Sequence, residues 1–154
     1  MKLLSCAWSP TRKVRSSDWQ TTVLYTASSL NAPYEWDVNE PVARVFGFSD
    51  EQLALIKAKD LSSSVLFKDR QRLIADMVDQ LVVGNKVNLE TMEKAKGVFG
   101  EEGAMEILFI HSIYAMLAKI MNSAQIDFDP PIPGLEDVLK KYNAAAIEKE
   151  ISYV

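Results

Sequence analysis

Cysteine, histidine and phosphate-binding glycine motifs are scarce in this sequence. Its 154 residues include one cysteine, Cys6, and one histidine, His111. A disulfide or a multi-cysteine metal site therefore cannot form within one chain. No paired histidines or Glu-x-x-His spacing is present to bind a transition metal, and no glycine-rich loop is present to hold phosphates. We expect no metal and no other cofactor.

Positive charge is also in short supply. The chain has 17 Lys and Arg against 21 Asp and Glu, for a formal net charge of −4. Nucleic acids and anionic membranes require a basic face, and the short cluster of Arg12, Lys13 and Arg15 does not supply one. The N-terminal apolar run in MKLLSCAW is shorter than a signal-peptide core. We predict a cytoplasmic protein without nucleic-acid or membrane partners.

The alternation of apolar and polar residues that marks β-strands is absent over any useful length. Helix signals are frequent instead, including a capping box at Ser49–Gln52 and a capping asparagine at Asn88. Pro41 is expected to kink or restart its helix, and a last helix is expected from Leu135 to about Ile151. The predicted class is all-α, with an N-terminal arm at 1–17 and one helical domain at 18–154.

The most apolar stretch runs from Glu101 to Asn122. Between Ala104 and Met121, fourteen of eighteen residues are apolar, which is typical of a helix buried on every side. Three ionisable groups within it argue against a membrane span. The sequence therefore predicts a central helix with His111 in its middle. His111 is either a hydrogen-bonded core residue or a catalytic one, and Tyr114 is its partner or a pocket wall.

The second polar cluster lies in the segment PYEWDVNEP. Glu35 and Asn39 share a helix face at a spacing of four residues, and Tyr34 and Trp36 flank the carboxylate. An apolar pocket of this kind raises a carboxyl pKa until the group can act as an acid or base. The alternative is that Glu35 and Asp37 are ordinary first-turn acids favoured by the helix dipole.

The order of these motifs resembles the carboxymuconolactone decarboxylase family, which includes the alkyl hydroperoxidase D-like proteins. The resemblance runs over roughly residues 20–127 and rests on the Tyr-Glu-Trp helix start, SDEQLALI, DRQRLIADMVDQL, VNLETM and MEILFIHSIYAMLAKIMNS. It implies an alkyl hydroperoxidase D-like antiparallel helical bundle that assembles as a homo-oligomer (dimer, trimer or hexamer). The peroxidase branch needs a Cys-x-x-Cys motif, which this chain lacks, so thiol peroxidase activity is not expected.

The decarboxylase-like branch is similar at Glu35-Trp36 but has a histidine where Asn39 stands and often an asparagine at Ala115. The resemblance thus implies a cofactor-independent decarboxylase, isomerase or cyclase for a carbonyl, lactone or polyketide-like substrate. Glu35 or His111 would move the proton, Asn39 and Tyr114 would hold the substrate oxygen, and Tyr34 and Trp36 would line the pocket. The alternative is a non-catalytic oligomeric binding or structural protein with a degenerate pocket.

Overall fold

The computed structural model describes residues 13–153, a range that consists of helices and the loops between them. The helices are α1 (Ser16–Ser29), α2 (Pro33–Val45), α3 (Asp50–Lys57), α4 (Asp69–Gly84), α5 (Leu89–Ala124), α6 (Leu135–Tyr142) and α7 (Ala144–Ile151). The predicted all-α bundle is confirmed. Residues 1–12 of the predicted N-terminal arm lie outside the described residues.

Helix α1 lies at the centre of the bundle. Eleven of its fourteen residues are buried, and it packs against α2, α3, α4, α5 and α7. Two of its buried threonines satisfy their hydroxyls on the helix itself, because Thr21 and Thr22 donate to the carbonyls of Ser17 and Asp18 at 2.9 and 2.8 Å. This internal bonding lets a polar-looking segment occupy the core.

Helix α5 was predicted to be the central helix, and that prediction is wrong for the isolated chain. One side of α5 packs on α1 and α4, whereas the other leaves apolar side chains in solvent, with Met105 58% and Ile120 54% exposed. By length and composition alone α5 could also cross a membrane, and a third of its apolar window is buried within the chain. The long apolar stretch therefore supplies one wall of the core and an exposed apolar face.

Asn88 caps the start of α5, and Gly100 divides the helix into two halves. The Asn88 side chain accepts a hydrogen bond from the backbone N–H of Thr91 at 2.8 Å, as predicted for a cap. Gly100 interrupts the helix with φ 76° and ψ 167°, a conformation that is essentially restricted to glycine. The chain can thus change direction before the apolar half of α5.

Helix α2 runs through Pro41 as one helix, so the predicted restart there is wrong. The proline leaves the carbonyl of Asp37 without a helical donor. Because Asp37 is exposed, water can satisfy that carbonyl. Downstream, the predicted capping box is confirmed, with Ser49 accepting from the Gln52 N–H at 3.2 Å and Gln52 accepting from the Ser49 N–H at 3.0 Å.

A buried ion pair ties α1 to α4. The guanidinium of Arg70 donates to the carboxylate of Asp18 at 2.6 Å, and the Asp18 side chain is only 2% exposed. Arg70 also donates to the carbonyl of Val98 at 3.0 Å and stacks on the ring of Phe99. It therefore joins the start of α1, the start of α4 and the turn before Gly100.

Both ends of the described chain are held against the bundle. The backbone N–H groups of Lys13 and Val14 donate to Glu106 on α5 at 2.8 and 2.9 Å, which holds the residues just before α1 against the bundle. The predicted C-terminal helix is divided at Asn143 into α6 and α7. This division lets Glu150 on α7 reach the start of α1, where it accepts from the Ser16 N–H at 3.0 Å.

Candidate functional site

Glu35 is a deeply buried carboxylic acid near the start of α2. Only 1% of the residue is exposed, and neither carboxyl oxygen has a hydrogen-bond partner among the described residues. A carboxylate at a helix N-terminus is normally favoured by the helix dipole. Here burial dominates and raises the pKa of Glu35 from 4.5 to about 7. Glu35 is therefore not an ordinary first-turn acid, and Asp37, the fifth residue of α2, lies beyond the first turn.

Tyr114 on α5 is the group electrostatically linked to Glu35. Burial raises the pKa of Tyr114, a hydrogen bond with the side chain of Trp19 acts in the opposite direction, and the negative charge of Glu35 raises it further. Glu35 on α2 and Tyr114 on α5 therefore interact through charge, without a hydrogen bond between them among the described residues. The phenol of Tyr114 is buried and stays protonated near neutral pH, so it can donate a hydrogen bond.

Trp19 also belongs to this group, although nothing in its sequence context singles it out. It lies on α1, is buried, and its side chain hydrogen-bonds with that of Tyr114. In the sequence it reads as one of several apolar positions of an ordinary helix. The available signal was an indole N–H, which needs a partner once it is buried.

The other residues that were predicted to surround the Glu35 carboxyl form hydrogen bonds with other groups. Asn39 donates to the backbone carbonyl of Glu35 at 2.8 Å, so its amide braces α2. Trp36 donates from its indole to Glu40 at 2.7 Å, and Tyr34 donates from its hydroxyl to Asp129 at 2.7 Å.

Two clefts flank α2 without reaching Glu35. Trp36 lines one of about 470 Å³ together with Lys57, whose ammonium lies 5.1 Å from the centre of the indole ring. Tyr34 lines the other, of about 330 Å³, together with Asn122. Glu35 lines neither cleft, so Tyr34 and Trp36 do not enclose it in a shared open pocket.

His111 lies in a separate place, between α1 and the outer cleft of α4 and α5. The residue is 6% exposed, and its Nδ1 atom lies 3.0 Å from the hydroxyl oxygen of Thr26. Burial, and then the charge of Lys119, lower the pKa of His111 below its ordinary value. It lines a cavity of about 430 Å³ that does not include Glu35. The two predicted proton-transfer residues thus do not line a common cavity.

The described part of the chain contains no group of three or more His, Cys, Asp or Glu residues that could hold a metal ion. Comparisons of the chain with protein-family models, with curated proteins and with solved structures found no match. A function can therefore be inferred only from the site itself, that is, from the burial of Glu35 and the interactions of Tyr114 with Glu35 and Trp19.

Proposed function

We propose that the protein is a cofactor-independent enzyme that moves a proton on a small carbonyl compound, with Glu35 as the acid/base group. The supporting observation is the buried, unpartnered carboxyl of Glu35, whose pKa lies near 7. General acid–base catalysis is most effective when the pKa of the catalytic group lies near the working pH. A protein rarely keeps such a group buried without a use for it.

The interaction between the Glu35 carboxyl and the Tyr114 phenol supports a particular class of reaction. Decarboxylation of a β-keto acid or carboxylated lactone breaks a carbon–carbon bond, releases carbon dioxide and leaves the electron pair on an enolate. Tyr114 would donate a hydrogen bond to the enolate oxygen, and protonated Glu35 would deliver its proton to carbon. Isomerisation or cyclisation uses the same two roles, with Glu35 first removing the proton. The resemblance to the carboxymuconolactone decarboxylase family favours lactone or polyketide-like substrates, and this step is analogy.

The proposed enzyme is a cytoplasmic homo-oligomer that uses no nucleic acid or membrane. Monomeric soluble proteins rarely leave a large contiguous apolar face in water. Met105 is exposed at the start of the apolar half of α5, and a second copy would cover the face around it. A substrate would then reach Glu35 either through a movement of α2 or through a pocket that the contact between two copies completes.

The test is incubation of the protein with carboxylated lactones and related carbonyl acids, followed by mass spectrometry. We expect loss of carbon dioxide or formation of an isobaric product. The Glu35→Gln variant should lower turnover by about 100-fold or more, whereas Asp37→Asn, an exposed acid on the same helix, should not change it. Turnover unaffected by Glu35→Gln would contradict the assignment.

A second candidate function is non-catalytic binding within a helical oligomer. It is favoured by the closed surroundings of Glu35 and by the contact of His111 with Thr26, which is the arrangement of a core histidine. The His111→Ala variant separates the possibilities for this residue. A loss of turnover comparable to that of Glu35→Gln would place His111 in the reaction, and absence of any turnover in the unmodified protein would favour the binding function.

A further inference from the structure

The cavity that contains His111 has a chemical character of its own. It occupies about 430 Å³ between the C-terminal part of α4 and the apolar half of α5. Leu81 and Met116 contribute apolar walls, and His111, Lys119, Ser112 and Asn85 contribute polar groups. No Asp or Glu is among the residues that line it. The cavity thus combines an apolar wall with a cationic side.

Helix periodicity explains why the imidazole of His111 and the ammonium group of Lys119 meet there. His111, Ala115 and Lys119 follow one another at intervals of four residues and share a face of α5. All three line the cavity. The small side chain of Ala115 leaves space between the imidazole and the ammonium group, so a ligand can reach both.

The imidazole of His111 is held in a defined orientation. Its Nδ1 atom is 3.0 Å from the hydroxyl oxygen of Thr26, which is buried on α1. The Nε2 atom of His111 has no hydrogen-bond partner among the described residues. It does not belong to the fully buried polar atoms that lack a partner, so it is not sealed off from the surface. Because His111 lines the cavity, Nε2 is the nitrogen available to a ligand there.

Lys119 is the charged side chain that acts on this imidazole. On α5, Lys119 has no ion-pair partner within 13–153 and its charge acts on His111. On α4, the carboxylate of Asp79 accepts from the hydroxyl of Tyr25 on α1 at 3.0 Å. No acidic side chain of the cavity neutralises Lys119, and two nearby positive charges would repel each other without an anion.

We infer that this cavity binds a small apolar carboxylate, with its carboxylate group between His111 Nε2 and the Lys119 ammonium and its apolar body against Leu81 and Met116. A metal ion does not suit the site, because Lys119 repels it and no carboxylate is present to hold it. A free phosphate does not use the apolar wall. The site does not depend on Glu35 and is separate from the proposed catalytic function.

Benzoate is a suitable probe, and the chain offers a clean signal because His111 is the only histidine. Its imidazole resonance can be followed by NMR during a benzoate titration. We expect a saturable change in that resonance and a rise in the pKa of His111 when benzoate is bound, because the anion stabilises the imidazolium. Benzyl alcohol, which has the same ring without the charge, should bind at least about tenfold more weakly.

Variants separate the site from general anion binding. Lys119→Gln should weaken benzoate binding about tenfold or more, whereas Lys57→Gln, in the Trp36 cleft, should leave it unchanged. Glu35→Gln should also leave the benzoate affinity unchanged, even if it abolishes turnover. Equal binding of benzyl alcohol or inorganic phosphate, an unchanged affinity in Lys119→Gln, or loss of binding in Glu35→Gln would each overturn the inference.

Discussion

The buried carboxyl of Glu35 makes a measurable contribution to the pH dependence of stability. Burial raises its folded-state pKa from 4.5 to about 7. At about 1.4 kcal/mol per pKa unit, this difference corresponds to about 3 kcal/mol between the protonated and ionised forms. The protein therefore stabilises the neutral acid, and ionisation at higher pH works against folding.

The direction of the effect follows from proton binding. Below pH 4.5, Glu35 is protonated in both the folded and unfolded states and contributes no pH dependence. Between pH 4.5 and 7 the unfolded state releases the proton while the folded state keeps it, so the free energy of unfolding falls as pH rises. Above pH 7 the full loss of about 3 kcal/mol is present.

The measurement is urea denaturation followed by circular dichroism at pH values from 4.5 to 8.5. Glu35→Gln keeps the shape of the side chain and removes its titration. We expect the two proteins to have similar stability near pH 4.5, and the variant to become more stable than the unmodified protein by about 3 kcal/mol above pH 7.

Two points separate the titration of Glu35 from that of other groups. His111 has a lowered pKa, so its contribution decreases as pH falls below its unfolded-state value. That contribution is present in both proteins and cancels in their difference. Asp37→Asn changes an exposed acid two residues away and should follow the curve of the unmodified protein. Parallel curves for Glu35→Gln and the unmodified protein would refute the reasoning, because Glu35 would then titrate normally.

Three further predictions concern the frame around the site. Arg70→Ala leaves a buried carboxylate without its partner and should lower the free energy of unfolding by about 3 kcal/mol in urea denaturation; an effect below 1 kcal/mol would contradict it. Gly100→Ala should cost about 1–3 kcal/mol because its backbone conformation suits only glycine, while Gly97→Ala, at a helical position with open space around it, should be neutral or stabilising in the same assay. Met105→Glu should dissociate the proposed oligomer in light scattering after gel filtration, whereas Val65→Glu, on an exposed loop, should not; a monomeric unmodified protein would contradict the proposal.

The local helix signals could be predicted because they depend on neighbouring residues. The capping box at Ser49, the cap at Asn88 and the break at Gly100 each use contacts within a few residues. Pro41 does not restart its helix, because the cost of a proline depends on whether the carbonyl four residues earlier can reach water, which is a tertiary property. The site was only partly predictable for the same reason. Sequence pattern indicated Glu35 and Tyr114, but not that Trp19 would bond to the phenol.

The identity of the central helix shows the limit of hydrophobicity as a guide. The most apolar segment lies on α5, yet α1 is more completely surrounded. Threonine side chains on α1 bond to their own helix, so they enter the core without unsatisfied hydroxyls. The excess apolar surface on α5 instead faces outward, where it lowers solubility unless another surface covers it. The hydrophobicity of a segment therefore does not show how much of its surface the chain itself buries.

The two candidate sites have different partners on α1. The side chain of Trp19 acts on the phenol of Tyr114, whereas the Nδ1 atom of His111 lies 3.0 Å from the hydroxyl oxygen of Thr26. The cavity that His111 lines does not include Glu35, and neither carboxyl oxygen of Glu35 has a hydrogen-bond partner among the described residues. Glu35 and His111 are therefore better treated as the centres of two sites, one that retains a proton and one that can attract an anion, than as two halves of a single catalytic pair.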